Sequence, residues 1–297
     1  MRRCSIMRFG IHANKTRDIG YEVAQELASV MLNHGHVPVF REYMKDTAIG
    51  RMGGIEFGGF ADCDIIFTIG GDGTFLGVIS DYRDLGVPFV GVNKGSIGFL
   101  TQITEDSMED AISRISEGRY KIIERMQLSA ELHDSQGNIK GSDICLNDVA
   151  VLRGDKPHIV KLSLYIDHER VERFYGDGLV VATPTGSTAY TLAAGGPLLM
   201  PGMDNIIITP LCPHTLQSTT YVIGPESEVE IRLGNFETVP IVSPDGHDFP
   251  TLSPYDVLKI KKHPQKVKTV DLGYTGFFQN VRRKIVARGS FYENSQE

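Results

Sequence analysis

The 297-residue sequence contains few cysteines and no motif that pairs them. The four cysteines lie far apart, at Cys4, Cys63, Cys145 and Cys212. This pattern fits free thiols in a reducing compartment better than a disulfide framework or a cysteine-based zinc site. The nine histidines show no metal-ligand spacing either.

Long apolar runs and an excess of positive charge are also missing. No run approaches the length of a membrane span, and Arg2 and Arg3 are not followed by the apolar core of a signal peptide. The formal net charge is −7, so no overall positive field attracts nucleic acid or an anionic membrane. We therefore expect a cytoplasmic protein without a nucleic-acid or membrane partner.

The first part of the chain alternates apolar runs with amphipathic segments. Strand-like runs occupy 8–14, 36–40, 64–69 and 87–92. Apolar residues at helical spacing predict helices over 23–31 and 108–115, with Asp18 as the N-cap of the first, and the glycine-rich segment 44–59 is expected to be an irregular loop. This alternation predicts an α/β doubly wound domain with ligands at the carboxyl ends of its parallel strands.

The pattern changes near Tyr120, where short β-rich runs separated by turns replace the strand and helix alternation. Such a pattern is typical of an antiparallel all-β sandwich. We therefore expect an α/β domain over 1–122 and a C-terminal β-sandwich domain over 123–272. The segment 273–297 is expected to return to the N-terminal domain.

The most informative segment is Gly70-Gly71-Asp72-Gly73-Thr74, which follows a buried strand and precedes a helix. Glycines let backbone N–H groups approach an anion, and the helix N-terminus adds a favourable dipole. A carboxylate such as Asp72 is costly there unless it binds a metal, holds a hydroxyl or takes a proton. The dinucleotide fingerprint and the Walker lysine are both missing. On this turn alone, a tight turn capped by Asp72 stays open as the alternative.

Two further clusters carry polar groups. Asn147-Asp148 stands at the end of a strand-like run and on its own is typical of a turn. Residues 176–190 lead from a strand into a turn of glycine and hydroxyl residues that opens onto a helix, and such a turn offers N–H groups, hydroxyls and Tyr190 to a polar ligand. Ser187 lacks the second glycine of a nucleophile elbow, so we do not expect it to be a nucleophile.

Taken together, these motifs resemble the NAD kinase family in its bacterial form. The resemblance covers nearly the whole chain. Its segments are Gly70 to Thr74, Asn147-Asp148, Gly176-Asp177-Gly178, Thr183 to Tyr190, Gly195-Gly196-Pro197, Pro213-His214-Thr215-Leu216, Ser243-Pro244-Asp245-Gly246 and Phe277 to Lys284. Lipid kinases and phosphofructokinases share the glycine-glycine-aspartate turn, and the later segments narrow the family.

The resemblance implies transfer of the γ-phosphoryl group of ATP, or of polyphosphate, to the 2′-hydroxyl of the adenosine ribose of NAD, with Mg²⁺ or another divalent cation on the donor phosphates. Asp72 is then the catalytic residue. The expected phosphate-binding residues are Gly70, Gly71, Gly73 and Thr74. A lipid or sugar kinase of the same superfamily and a non-catalytic dinucleotide sensor remain the alternatives.

The resemblance also implies a set of residues that bind NAD. They are Asp72, Gly73, Phe99, Asn147, Asp148, His158, Tyr175, Asp177, Thr185, Thr188, Ala189, Tyr190, Thr191, Leu192, Ala193 and His247. Because the Asp177 contact can come from a neighbouring subunit in this family, a homo-oligomer, dimer or tetramer, is implied. Two positions depart from the family pattern: Tyr175 stands where many relatives have a basic residue, and His247 where glutamine is usual.

Overall fold

The computed structural model describes residues 5–94, 98–154, 158–214, 218–234 and 239–289. The chain divides into two units, one formed by 1–123 together with 267–297 and the other by 124–266. In the part of the chain that is described, no helix is long and apolar enough to cross a membrane. Cys4, Thr215 and Leu216, which the sequence singles out, lie outside the described residues.

The first unit is an α/β structure. Its strands are β1 (Arg8–Ala13), β2 (Val37–Phe40), β3 (Glu56–Phe57), β4 (Ile65–Ile69), β5 (Phe89–Val92), β6 (Thr101–Ile103), β7 (Lys121–Arg125, which runs into the second unit) and, late in the chain, β19 (Val267–Asp271). Its helices are α1 (Glu22–Asn33), α2 (Asp72–Tyr82), α3 (Met108–Ser116) and α5 (Phe277–Gly289).

These strands form one sheet in the order β3-β2-β1-β4-β5-β19-β7, with β6 beside β5. The strands from β3 to β5 are parallel to their neighbours. All five residues of β4 are buried, as expected for a parallel strand covered on both faces. The doubly wound α/β prediction is confirmed. Residues 267–272, expected in the second domain, group with the first unit because β19 pairs with β5.

The prediction of an irregular loop over 44–59 is wrong in part. Short 3₁₀ turns form at Glu42–Met44 and Ala48–Arg51, followed by β3. Met44 and Ile49 are fully buried in the core of the unit. Burial of these apolar side chains orders a segment whose glycine content suggested an irregular loop.

Asp18, the predicted N-cap residue of α1, does not occupy the N-cap position but still caps the helix with its side chain. The residue at the N-cap position is Tyr21, in the left-handed region at φ 59°. The Asp18 carboxylate still accepts hydrogen bonds from the N–H groups of Val23 and Ala24, at 3.1 and 3.0 Å. These bonds satisfy donors of the first helical turn, which is what a capping side chain does.

The second unit is an all-β sandwich, as predicted, with one short helix, α4 (Tyr190–Ala193). Its strands are β8 (Leu128–His133), β9 (Ile139–Cys145), β10 (Asp148–Leu152), β11 (Val160–Ile166), β12 (Glu169–Gly176), β13 (Gly178–Ala182), β14 (Ile206–Leu211), β15 (Tyr221–Ile223), β16 (Val229–Leu233), β17 (Ile241–Pro244) and β18 (Val257–Lys262). They form two antiparallel sheets, β15-β14-β13-β10-β17 and β12-β11-β16-β18-β8-β9, whose apolar faces share one core.

Candidate active site

The glycine-rich turn connects β4 to α2 in the first unit. Gly71 is the N-cap residue of α2 and Asp72 its first residue. The N–H group of Phe75 bonds to the Gly71 carbonyl at 3.0 Å, which closes the first turn of the helix. The opening N–H groups of an α-helix lack intrahelical partners, and with the helix dipole they form a site for an anion. The turn can therefore hold phosphate at the carboxyl end of β4.

The Asp72 carboxylate is held by a loop that precedes β6. It accepts hydrogen bonds from the backbone N–H groups of Phe99, at 2.8 Å, and Leu100, at 3.0 Å. These two bonds fix the plane of the carboxylate, and each oxygen keeps a further lone pair for a ligand. Phe99, expected to contact the dinucleotide, thus lies beside the expected catalytic residue.

Gly98 permits this arrangement, although it is not among the site residues expected from the sequence. A Cβ atom at Gly98 would lie 1.8 Å from Oδ1 of Asp72. No side chain fits in that space, so only glycine lets the carboxylate approach the loop. The glycine before Phe99 was the one signal in the sequence, and nothing local connects it with Asp72.

The C-terminal helix α5 contacts the same loop within the first unit. The ammonium group of Lys284 lies 4.4 Å from the centroid of the Phe99 ring, which is a favourable cation–π distance. The Asn280 amide bonds to the Gly98 carbonyl at 3.5 Å. The segment that closes the chain therefore supports the loop that holds Asp72.

In the second unit, Asn147-Asp148 is fixed on its N–H side by one carboxylate. Oδ2 of Asp245 accepts the N–H group of Leu146 at 2.6 Å, and Oδ1 accepts those of Asn147 and Asp148 at 2.8 and 3.1 Å. Asp245 itself is in the left-handed region at φ 47°. A non-glycine residue there carries strain, which the three hydrogen bonds offset.

The carbonyl side of the pair is fixed by the turn after β13. The Asn147 carbonyl accepts the N–H group of Thr183 at 2.8 Å. A Cβ atom at Gly186 would lie 2.1 Å from the Asn147 carbonyl oxygen, so this approach also requires glycine. The backbone of Asn147 is therefore held from both sides.

Burial and like charge change the protonation of this region. Burial, and then the neighbouring Asp245 carboxylate, raise the pKa of Asp148 to about 7. Burial also raises the pKa of Asp245, against its three backbone hydrogen bonds. Both shifts follow from the cost of ionising two desolvated carboxyl groups close together. Asp148 therefore changes charge near neutral pH.

The hydroxyls of the Thr183 to Tyr190 segment mostly build the turn. Ser187 donates to the Pro184 carbonyl at 2.6 Å and accepts from the N–H group of Leu199 at 3.1 Å. Thr188 donates to the Thr185 carbonyl at 3.1 Å. These bonds give Ser187 a structural role, in keeping with the expectation that it is not a nucleophile.

Two side chains of the segment face other groups. A guanidinium nitrogen of the buried Arg125 lies 3.2 Å from the Thr185 hydroxyl. Burial raises the pKa of Tyr190, and the nearby groups Cys212, Asp177 and Asp148 raise it further. Tyr190, Asp148 and Asp177 are therefore neighbours in the second unit.

The remaining expected residues are more dispersed. The Asp177 carboxylate pairs with Arg153 at 3.4 Å, and His247 lies 3.1 Å from the Asp143 carboxylate. Tyr175 lies on β12, where its carbonyl accepts the N–H group of His214 at 2.8 Å. His158 is exposed, and no described residue hydrogen-bonds to its side chain.

The comparisons with known proteins agree with this arrangement. Residues 59–120 match the family described as the ATP-NAD kinase N-terminal domain, and residues 146–272 match the ATP-NAD kinase C-terminal domain. The protein named NAD kinase from Ruminiclostridium cellulolyticum is 34% identical over 282 residues, covering 95% of this chain and 98% of that relative. The NAD kinase of Hahella chejuensis is 38% identical over 224 residues, 75% of each chain.

Two solved structures share the fold. A yeast NADH kinase complexed with NADH superposes with a TM-score of 0.80 at 22% identity, over 99% of this chain and 90% of that one. An NAD kinase from Archaeoglobus fulgidus in complex with ATP gives a TM-score of 0.70 at 22% identity, over 94% of this chain and 98% of that one. The likeness extends through both units.

Proposed function

The chain belongs to the NAD kinase family, and we propose that it transfers the γ-phosphoryl group of ATP to the 2′-hydroxyl of the adenosine ribose of NAD, forming NADP. The observation that carries the proposal is the Asp72 carboxylate, at the first residue of α2 and held by the N–H groups of Phe99 and Leu100. A phosphotransferase to an alcohol needs a turn that holds phosphate and a fixed group that orients the acceptor.

In this mechanism Asp72 accepts a hydrogen bond from the 2′-hydroxyl and directs its oxygen at the γ-phosphorus. The new O–P bond forms as the bond to the leaving ADP oxygen breaks, and the hydroxyl proton passes to the carboxylate. A carboxylate is a weak base for an alcohol, so the proton moves late and alignment supplies most of the acceleration. The N–H groups of the Gly70 to Thr74 turn stabilise the charge on the phosphoryl oxygens.

The donor phosphates would hold a divalent cation at this site, where Asp72 is assigned to the acceptor hydroxyl. Both oxygens of Asp72 already accept backbone N–H groups. Among the described residues, the three side chains grouped closely enough to hold a metal are His168, Glu228 and Glu230, in the second unit, and Glu230 is paired with Arg232 at 2.6 Å. Mg²⁺ binds with few carboxylates plus substrate phosphates, and when bound it supplies neutralisation of the phosphate charge.

The NAD-binding groups of the second unit are Asn147 and Asp148, which take the adenosine portion, with Tyr190 stacking on a ring of the dinucleotide. The same dinucleotide is also contacted by Thr185, Thr188 to Ala193 and His247. In favour of these roles, the Asn147-Asp148 backbone is held rigidly, and Tyr190 is 42% exposed. An exposed aromatic ring beside fixed polar groups is typical of a ligand site.

The protein is further proposed to be a homo-oligomer, in which Asp177 of one subunit contacts the NAD bound by another. The side chain of Asp177 keeps 34% of its surface exposed beside Arg153, which leaves room for such a contact. Light scattering on the purified chain tests this, because a monomer at assay concentrations contradicts it.

The experiment that tests the function is an assay of NADP formation. The purified protein is incubated with NAD, Mg²⁺ and either ATP or inorganic polyphosphate, and parallel reactions offer a diacylglycerol and a hexose as acceptors. We expect NADP with ATP and no phosphorylated lipid or sugar. NAD binding without NADP from any donor would instead identify a dinucleotide sensor.

A further inference from the structure

The helix α5 turns one face toward the rest of the first unit, and we call it the inner face. It consists of residues at helical spacing that are buried or half-buried: Phe277, Asn280, Val281 and Lys284. The intervening residues are exposed: Phe278, Gln279, Arg282 and Arg283. Side chains three and four positions apart lie on the same side of a helix, so the four inner residues form one contact surface.

Two of the four inner residues are polar. An amphipathic helix normally presents apolar side chains on its packed face, and an amide or ammonium group placed there loses hydration unless it finds a partner. Asn280 and Lys284, about one turn apart, contact two consecutive residues of the loop before β6. The Asn280 amide nitrogen lies 3.5 Å from the Gly98 carbonyl oxygen, and the Lys284 ammonium lies 4.4 Å from the centroid of the Phe99 ring. The polar pair is therefore directed at this loop.

The orientation of the Asn280 amide is set within its own helix. Its Oδ1 accepts a hydrogen bond from the guanidinium group of Arg283 at 3.0 Å. A side-chain amide has one oxygen end and one NH2 end, so this bond leaves the NH2 group to face the Gly98 carbonyl. The inner face of α5 thus presents a hydrogen-bond donor and a cation to the loop.

The loop needs such support because of its composition. Gly98 leaves room for the Asp72 carboxylate, but glycine loses more conformational freedom on folding than any other residue. Phe99 follows it directly and donates its N–H group to Asp72 at 2.8 Å. The ring of the same residue is the group that Lys284 contacts. A contact at the ring restricts the backbone N–H group that binds the carboxylate.

We propose that Lys284 is a positioning residue for phosphoryl transfer, which holds the Phe99 ring and through the Phe99 N–H group fixes the Asp72 carboxylate. The proposal rests on the function proposed above and adds a residue of the C-terminal helix to it. Cation–π contacts are typically strong enough to change an equilibrium or a rate by roughly 3- to 10-fold. Lys284 touches no reacting atom in this role.

The test compares Lys284→Gln, which removes the charge, with Lys284→Arg, which keeps a cation. The matched control is Arg282→Gln, which removes a cation from the exposed side of the same helix. In Lys284→Gln we expect kcat to fall roughly 3- to 10-fold with the KM for ATP within about twofold of wild type. Lys284→Arg should restore most of kcat, and Arg282→Gln should keep it.

Hydrogen exchange measured by NMR provides a readout that does not depend on activity. The N–H groups of Phe99 and Leu100 are bonded to Asp72, so the rate at which they exchange reports how often the loop releases the carboxylate. Both should exchange roughly 3- to 10-fold faster in Lys284→Gln. The N–H groups of β10, in the second unit, should exchange at the wild-type rate, which excludes a general loss of stability.

A double-mutant cycle separates this role from a direct contact between Lys284 and a substrate. Phe99→Leu removes the ring but keeps the backbone N–H group, so the added change Lys284→Gln should have no further effect on kcat or on exchange. A further fall of the same size in the Phe99→Leu background would overturn the proposal.

Wild-type kcat and wild-type exchange rates in Lys284→Gln would overturn it equally. Absence of NADP from every donor would instead contradict the proposed function. In that case the exchange rates of the Phe99 and Leu100 N–H groups still decide whether Lys284 holds the loop, so the two failures are distinguishable.

Discussion

Oδ1 of Asp245 accepts a hydrogen bond from the backbone N–H group of Asn147 at 2.8 Å, across 98 positions in the sequence. The same carboxylate accepts the N–H groups of Leu146 and Asp148. Asp245 begins a tight turn after β17, closed by the N–H group of His247 on the Pro244 carbonyl at 2.8 Å. One side chain therefore sets the backbone position of two proposed NAD-binding residues.

We expect substitution of Asp245 to weaken the binding of NAD and to leave the binding of ATP unchanged. Asp245→Ala leaves three N–H groups without their partner, which typically costs about 1–3 kcal/mol for each buried donor, and the Asn147 backbone shifts. The KM for NAD should rise roughly 10-fold or more, with the KM for ATP within about twofold of wild type. Asp245→Asn keeps one acceptor oxygen, so its KM for NAD should lie between the values of the wild type and of Asp245→Ala.

The matched control is Asp248→Asn, which removes the same charge from an exposed residue three positions away. It should keep both KM values. Equal increases in the KM values for NAD and ATP in the Asp245 variants would show a general loss of structure and contradict a positioning role.

The raised pKa of Asp148 predicts that NAD binding depends on pH. Because the pKa lies at about 7, the side chain is mostly protonated at pH 6 and mostly ionised at pH 8. The ionised form is the better acceptor for ribose hydroxyls. The KM for NAD should therefore fall as the pH rises from 6 to 8, and this dependence should be weaker in Asp148→Asn.

The same shift predicts a cost to stability. An aspartate in an unfolded chain has a pKa of about 3.9, below the folded value, so the folded protein binds more protons between the two pKa values. The free energy of unfolding then falls as the pH rises from about 4 to 7, and the cost is fully present above pH 7. Asp148→Asn should raise Tm by roughly 3 °C or more at pH 8 and change it little at pH 4. A lower Tm at pH 8 would contradict this.

Gly98 provides a test of the carboxylate geometry. In Gly98→Ala the new Cβ would overlap Oδ1 of Asp72, so the carboxylate must leave its hydrogen bonds to Phe99 and Leu100. We expect kcat to fall by roughly two orders of magnitude, with an unchanged circular dichroism spectrum. Gly53→Ala, where a Cβ meets no atom within 4 Å, should keep wild-type activity. Normal turnover in Gly98→Ala would show that the loop does not fix Asp72.

Much of the fold follows from local sequence patterns. The apolar run before Gly70 predicts β4, and the structure buries all five residues of that strand. Gly118, in the left-handed region at φ 71°, lies just beyond α3, where the sequence predicts the end of that helix. The segment 44–59 misleads because its glycines dominate the local pattern, whereas burial of Met44 and Ile49 depends on the tertiary structure. The place of β19 beside β5 likewise depends on pairing between distant segments.

In the candidate site, too, some residues can be predicted from the sequence and others only from the folded structure. The segment around Asp72 is visible as a motif, and Asn147-Asp148 and Asp245 stand out through the family resemblance, which does not give the contact between them. Gly98 and Asp245 act through contacts with residues 26 and 98 positions away, respectively. No periodicity or local motif encodes such contacts, so their roles emerge only when the folded chain brings the atoms together.

The most direct test of the account is the rate of NADP formation in Asp72→Asn with saturating ATP, NAD and Mg²⁺. The amide keeps the size of the side chain but loses the negative charge that orients the hydroxyl and takes its proton, and it keeps one of the two oxygens that accept the N–H groups of Phe99 and Leu100. We predict that kcat falls by roughly two or more orders of magnitude while NAD binding by calorimetry is retained. The control is Asp84→Asn, which changes an exposed residue after the same helix and should keep the wild-type kcat. Near-normal turnover in Asp72→Asn would contradict the catalytic role of Asp72.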